Sequence, residues 1–301
     1  MGWEGGAGLA LASAFVTNLG FLWRHRGAVE SPDVDARHPL RTVASLFRSK
    51  WWTIGYVAAL IAWLLHIGAL ALAPLSIVQS ALAAGFVFLA VLADRFFGFD
   101  LGRREWTGVL LAAAGLAFLA LTAGQVKGEQ SDYGMAAIVA FEAAMVVVGA
   151  GLIAGQRRGL GPGTRTGVLL GAGAGVLFTV THVAIKALTG EVSGPLDLLS
   201  PWTAVVVGGG VVAFFVSARS LQIGKAVPVI AATSIAGNAT AILAGVVVFG
   251  DPVGSDPLIA TLRIAAFGLI VVAAALIPGP LRAAGEGGAG RRRSARAPAA
   301  A

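Results

Sequence analysis

The chain has 301 residues, of which 57% are hydrophobic and 12% are charged, and its mean hydropathy is +0.82. A water-soluble fold of this composition would expose large apolar patches, so the composition favours an integral membrane protein. The chain has no cysteine, which excludes disulfides and zinc–thiolate or iron–sulfur sites. Its net charge is +7, but the basic residues lie between apolar runs rather than in a binding motif, so we expect no nucleic-acid partner.

The apolar runs are about twenty residues long, and apolar and polar residues do not alternate within them, which is typical of transmembrane helices. The seventh run is short and can continue toward Gln222. The first run has no positively charged leader, so we expect a retained helix and not a cleaved signal peptide. Nine spans are predicted in all, at residues 5–22, 51–73, 75–93, 106–122, 134–155, 167–188, 202–217, 226–249 and 259–277.

The lysines and arginines predict which span ends face the cytoplasm, because cytoplasmic loops hold most of them. With nine spans, nineteen of the 22 lie on one side, and only Lys127, Lys186 and Arg263 lie at or near the other. We therefore expect the amino terminus outside, the carboxyl terminus in the cytoplasm and a location in a bacterial inner membrane. Tryptophans at the cytoplasmic span ends agree with this orientation as interfacial anchors, namely Trp23, Trp51, Trp52 and Trp106.

The third and eighth spans share features that indicate an internal repeat. In each, a serine follows a proline by six residues, Ser80 after Pro74 and Ser234 after Pro228, and a Phe-Gly pair lies at or just after the end of each span, Phe97-Gly98 and Phe249-Gly250. Weaker matches in the same order pair spans one to four with spans six to nine, which run in opposite directions because they are five spans apart. The predicted fold is all-α, with inverted four-helix repeats at 1–125 and 166–278, a linking fifth helix and loop at 126–165, and a disordered basic cytoplasmic tail at 279–301.

Three stretches carry a resemblance to a known family. They are residues 8–27, GLALASAFVTNLGFLWRHRG, residues 49–79 with the WW pair and ALALAPLSIVQ, and residues 226–251. Through them the chain resembles the EamA-like drug/metabolite transporter superfamily, and within it the NIPA-type magnesium transporter branch. The resemblance covers roughly residues 5–277 and implies transport by alternating access. We expect neither enzyme activity nor a cofactor. It leaves the substrate open between a small organic metabolite or drug and a cation.

Ionisable groups inside the membrane are costly and are therefore candidates for function. Glu142 is the only carboxylate well inside a predicted span, and His66 and His182 lie at a similar depth, about 10 Å below the outer surface at 1.5 Å per residue. We hypothesise that the three converge in one cavity, where Glu142 binds a proton or a cation, including Mg²⁺ if that is the substrate. The alternative is a packing role, in which Glu142 makes a buried hydrogen bond or pairs with Lys186.

Uncharged polar residues in the spans are further candidates for substrate contacts. The alternative for each is hydrogen bonding between helices, which small polar residues make routinely. The glycines of the Gly167-x3-Gly171-x3-Gly175 run are expected to let two helices approach closely rather than to bind phosphate. The polar candidates are Gln79 and Ser80 in the third span, Thr233, Ser234 and Asn238 in the eighth, and Asn18 in the first.

Two other classes of function compete with transport. A membrane-embedded enzyme would need a clustered nucleophile, acid pair or metal set, and the sequence contains no GxSG or HExxH motif. A receptor or scaffold could use the long loop from Trp23 to Lys50 to bind a partner. The predicted partners are therefore a small-molecule or ion substrate and the lipid bilayer. A homodimer is compatible with the sequence, which does not determine the oligomeric state.

Overall fold

A computed structural model describes residues 3–35, 37–72, 78, 81–82, 85–98, 101–122, 134–155, 163–191, 200–249 and 257–276. This part of the chain is helical and contains no strand. Its helices are α1 Trp3–Glu30, α2 Pro39–Arg48, α3 Lys50–Leu72, α4 Gly85–Phe96, α5 Arg103–Thr122, α6 Met135–Gly155, α7 Thr164–Glu191, α8 Pro201–Ile223, α9 Ala226–Val247 and α10 Pro257–Leu276.

Six of these helices, α1, α3, α6, α7, α8 and α9, are long and apolar enough to cross a membrane. The predicted all-α membrane fold is therefore confirmed. Each of the nine predicted spans overlaps a helix, but the count of nine crossings and the orientation of the termini stay predictions. The tail at 279–301 lies outside the described residues.

Two differences from the predicted elements lie between the first two spans. Helix α1 continues past the predicted end at residue 22 as far as Glu30, because the polar residues that follow the apolar run are compatible with a helix. The loop after it contains a short amphipathic helix, α2, which was not predicted. The signal for α2 was present in the sequence, since its apolar residues recur at helical spacing.

The same helix pairings occur in both halves of the chain. Helix α1 packs on α3 and on α4, and α4 packs on α5; correspondingly, α7 packs on α8 and on α9, and α9 packs on α10. In the first pair, Gly20 lies against Gly55 and the Ser13 hydroxyl donates to the Ala62 carbonyl at 2.7 Å. In the matching pair, Gly209 lies beside Thr181. An internal duplication would produce this repeated pattern.

The largest buried cluster joins the two halves. It contains Leu22 and Leu89 from the first half and Val229 and Ile230 from the second, all almost completely buried. Trp52 lies in the same cluster at 1% exposure and meets Phe214 edge to face, with the ring centroids 5.9 Å apart. The expectation that Trp52 is an interfacial anchor is therefore wrong, because its ring fills the contact between α3 and α8.

Candidate substrate and ion site

Helix α6 buries one narrow face and exposes the rest. The buried residues recur every three or four positions, as Ile138, Phe141, Glu142, Met145 and Gly149, whereas valines such as Val147 are exposed. Gly149 lies against Leu177 of α7, so this face packs onto α7. Exposed valines on the remaining surface suit contact with lipid chains.

Glu142 is the polar member of this buried face. Its side chain is 7% exposed. Both carboxylate oxygens are buried, and neither has a hydrogen-bond partner among the described residues. Its neighbours along the face, Phe141 and Met145, belong to an apolar cluster that also contains Val180 and Val183 of α7.

A carboxylate in such surroundings needs compensation. Burying an ionised group without a partner costs several kcal/mol, and a neutral acid without hydrogen bonds still loses its bonds to water. A proton neutralises Glu142, and a bound cation compensates its charge directly. The position of Glu142 therefore suits reversible binding of a proton or a cation.

The two histidines of the predicted spans lie on other helices than Glu142. His66 on α3 is half-buried, and its Nδ1 atom is buried without a partner among the described residues. Helix α3 packs mainly on α1, whereas α6 packs mainly on α7, so His66 and Glu142 lie on helices that share little contact. His182 is exposed on α7 and is rotated by about 140° or more from Gly173 and Leu177, which face α6. Convergence of the three residues in one cavity stays a prediction.

The predicted close approach along the glycine run of α7 is confirmed. Gly171 lies against Val229 and Thr233 of α9, and a Cβ atom on Gly175 would collide with the Thr233 carbonyl. One turn further along, the Thr179 hydroxyl donates to the Gly237 carbonyl at 2.9 Å. These contacts hold α7 and α9 together by backbone approach and hydrogen bonding.

The polar residues of α9 differ in their surroundings. Thr233 is buried, and its hydroxyl donates to the Val229 carbonyl of its own helix at 2.9 Å. Because this hydroxyl already has an acceptor and lies in the contact with α7, its geometry favours the packing role. Ser234 is half-buried and Asn238 is exposed, so neither is enclosed by packing, and their contact with a solute stays a prediction.

Of the three polar candidates in the first half, Asn18 makes a local contact, and the other two lie outside the described residues. The Asn18 side-chain amide donates to the Ala14 carbonyl at 2.8 Å and lies against Gly85 of α4, an arrangement that favours packing. Gln79 and Ser80 lie outside the described residues, as does the side chain of Lys186, the alternative partner for Glu142. Within the described residues there is no group of three or more His, Asp or Glu side chains that could hold a metal ion.

A polar cluster that was not predicted joins the two halves at one end of the molecule. We call it the clasp, and it consists of His25, Asp33, Val34, Arg219 and Gln222, together with the backbone atoms that they bind. The Gln222 Oε1 atom accepts from the backbone N of Val34 at 3.0 Å, and its Nε2 atom donates to the Pro32 carbonyl at 2.9 Å. These two bonds satisfy the backbone groups of Pro32 and Val34, which lie in a segment without regular secondary structure.

Two further bonds complete the clasp. Arg219 of α8 pairs with Asp33 at 2.8 Å. The His25 Nε2 atom lies 3.1 Å from the Gly224 carbonyl, and because a carbonyl only accepts, Nε2 carries the proton in this bond. The loop after α1 and the loop after α8 therefore lie at the same end, in agreement with the alternation of basic residues. A sequence search for membrane-embedded charges passes over these residues, because they lie at span ends.

One curated relative matches most of the chain. It is the probable magnesium transporter NIPA9 of Arabidopsis thaliana, 24% identical over 260 residues, which are 83% of this chain and 74% of the relative. The chain is homologous to a NIPA-type transporter. The predicted resemblance to the NIPA-type branch is thereby confirmed, and the homology and the six apolar helices together identify a multi-pass membrane protein of transporter ancestry.

A second relative matches a shorter part of the chain. An uncharacterized protein of Corynebacterium glutamicum is 33% identical over 109 residues, which are 36% of this chain and 37% of that protein. No family model matches the chain. No solved structure matches it either.

Proposed function

We propose that this protein is a secondary transporter that moves a small organic metabolite, a drug or a cation across a bacterial inner membrane by alternating access. The observation that carries the proposal is Glu142, a membrane-embedded carboxylate 7% exposed whose two oxygens have no hydrogen-bond partner among the described residues. Groups of this kind mark ion and proton pathways in transporters.

The arrangement of the helices supports the same proposal. Each half contains the same three helix pairings, and the clasp joins the halves at one end through side chains that can separate. Transporters with two repeats open alternately by rocking one bundle against the other around a central site. In this mechanism the clasp is closed in the state described here and opens when the site faces the other way.

Mg²⁺ transport is the more specific alternative, and the name of the relative NIPA9 favours it. Mg²⁺ prefers oxygen ligands and usually keeps several waters, so Glu142 can bind a hydrated ion without a complete cage of protein ligands. Flux of organic solutes coupled to protons uses the same carboxylate as a proton carrier. A receptor, scaffold or intramembrane enzyme is distinguished from both by the absence of flux in vesicles that contain only the purified protein.

The test compares two equivalent substitutions in proteoliposomes. Glu142→Gln removes the charge and keeps the shape, and we expect it to reduce flux to the level of protein-free vesicles. Glu4→Gln makes the same change at an exposed carboxylate near the start of α1 and should leave flux unchanged. Unaltered transport by correctly folded Glu142→Gln protein would remove Glu142 from the mechanism.

Two assays with the same variants distinguish between the possible substrates. A magnesium indicator trapped inside the vesicles reports Mg²⁺ entry, and growth of a strain deficient in magnesium uptake reports it in cells. A pH indicator reports proton movement when organic solutes are added outside. Magnesium entry that depends on Glu142 favours the NIPA-like function, and solute-dependent proton flux without magnesium entry favours the metabolite carrier.

A further inference from the structure

Helix α2 is anchored to the protein along one side. Leu46 is completely buried in the cluster that joins the two halves, and Thr42 is 4% exposed. The Thr42 hydroxyl donates to the Asp35 carbonyl at 3.1 Å and accepts from the Asp35 backbone N at 3.2 Å. The helix is therefore held in a defined rotation and is not free to turn its faces.

The outer side of α2 combines apolar and basic residues. Leu40 is 84% exposed and Phe47 is 42% exposed. These two residues are seven positions apart and share a face, since seven residues make almost two helical turns. Arg41 and Arg48 have the same spacing and form an exposed basic row beside it. An apolar face next to a basic row is typical of helices that lie in a membrane interface.

The acidic residues around α2 are already paired. Asp33 pairs with Arg219, and Glu30 pairs with Arg26. Asp35 pairs with His38 at 2.8 Å, and this hydrogen bond holds the pKa of the Asp35 carboxyl below its usual range. Within the described residues, neither Arg41 nor Arg48 has a carboxylate partner, so both are available to external anions.

The position of α2 places this side at the bilayer surface. Helix α2 ends at Arg48, and the membrane-spanning helix α3 begins at Lys50. The next residue, Trp51, has the Arg26 guanidinium 4.1 Å from its ring centroid, an arrangement suited to the headgroup region. The basic row is therefore at the depth at which lipid phosphates lie.

From the exposed apolar face, the unpaired arginines and the junction with α3, we propose that α2 binds anionic phospholipids of the adjoining leaflet. Leu40 and Phe47 insert at the boundary between headgroups and acyl chains. Arg41 and Arg48 bind headgroup phosphates by charge-assisted hydrogen bonds. The surface is distinct from the Glu142 site, so it does not depend on the transported substrate.

The first test measures the depth of α2 in vesicles. The chain has no cysteine, so single cysteines introduced as Leu40→Cys and Phe47→Cys can each carry one nitroxide label. In phosphatidylglycerol vesicles we expect both labels to be accessible to oxygen and protected from a water-soluble nickel chelate, as is a Val147→Cys reference on the lipid-facing side of α6. Access to nickel would show that α2 lies in water, and protection from both reagents would show a protein partner or a second copy. Either result overturns the proposal.

The second test measures lipid selectivity. A fluorophore on Phe47→Cys is quenched by brominated phosphatidylglycerol or phosphatidylcholine, and the ratio gives the preference for the anionic lipid. Replacing Arg41 and Arg48 with Gln should reduce that preference by up to about thirtyfold, whereas Arg95→Gln with Arg103→Gln should not. Raising the salt concentration should weaken the preference of the labelled protein that keeps both arginines. Equal binding of the two lipids, or a preference independent of salt, would overturn the proposal.

Discussion

Gln222 and Val34 are 188 residues apart in the sequence, yet the Gln222 Oε1 atom accepts a hydrogen bond from the Val34 backbone N at 3.0 Å. The bond joins the end of α8 to the loop after α1, so it crosses from one half of the protein to the other. Arg219 and Asp33 reinforce the same connection. A transporter whose halves rock against each other must break these contacts in each cycle.

A reversible cross-link across the clasp should stop transport. In the double variant Asp33→Cys/Arg219→Cys, a bis-methanethiosulfonate linker about as long as the lost ion pair would tie the loop to α8. We expect flux in proteoliposomes to fall to background after cross-linking and to return when a reductant cleaves the linker, because the clasp can then open.

The matched controls are the two single-cysteine variants treated with the same linker. Neither can form an intramolecular bridge, so both should keep their flux. Because inhibition and recovery are measured on one protein sample, a folding defect cannot imitate the result. Full transport by the cross-linked protein would show that the clasp is structural and does not open during the cycle.

Replacing Glu142 with Leu should stabilise the protein while it abolishes transport. Leucine has a similar size and suits the apolar cluster, and the change removes a buried polar group that lacks a partner among the described residues. We expect the free energy of unfolding to rise by about 1–3 kcal/mol. Thermal unfolding of the detergent-solubilised protein measures the change, and Glu4→Leu is the exposed control. A loss of stability would mean that Glu142 has an essential packing partner.

Gly175→Ala should destabilise the contact between α7 and α9. A Cβ atom at this position collides with the Thr233 carbonyl, so the helices must move apart, at a cost of about 1–3 kcal/mol. Gly151→Ala on α6 is the matched control, since nothing lies within 4 Å of its Cβ position. There the better helix propensity of alanine should be neutral or stabilising. Equal thermal stability of the two variants would contradict the close approach.

Cysteine accessibility should confirm that the two ends of the helices lie on different sides of the membrane. In spheroplasts, an impermeant maleimide should label Gly134→Cys, at the predicted outer end of α6, without permeabilisation. Ser31→Cys, in the loop of the clasp, should react only after permeabilisation. Gly134 is exposed and Ser31 is half-buried, so labelling of Ser31→Cys after permeabilisation is the control that shows this position can react. Labelling of both from outside would reject the predicted orientation and the count of nine spans.

Several features of this protein follow from the sequence alone. The apolar runs, the glycine spacing from Gly167 to Gly175 and the lone intramembrane carboxylate at Glu142 are local patterns, and the structure has helices, a close contact and a buried acid at these places. Local patterns suffice here because a chain that crosses a bilayer must satisfy its backbone polar groups internally, as a helix does. Small residues at a four-residue spacing also make one flat helix face.

The tertiary structure alone decided which side chains meet. The burial of Trp52 against Phe214 and the clasp around Gln222 depend on how each helix is rotated and which helix packs beside it. Depth along a span can be read from residue number, whereas rotation and neighbours arise from packing between segments that are far apart in the chain. For that reason the sequence predicted the carboxylate but not its surroundings.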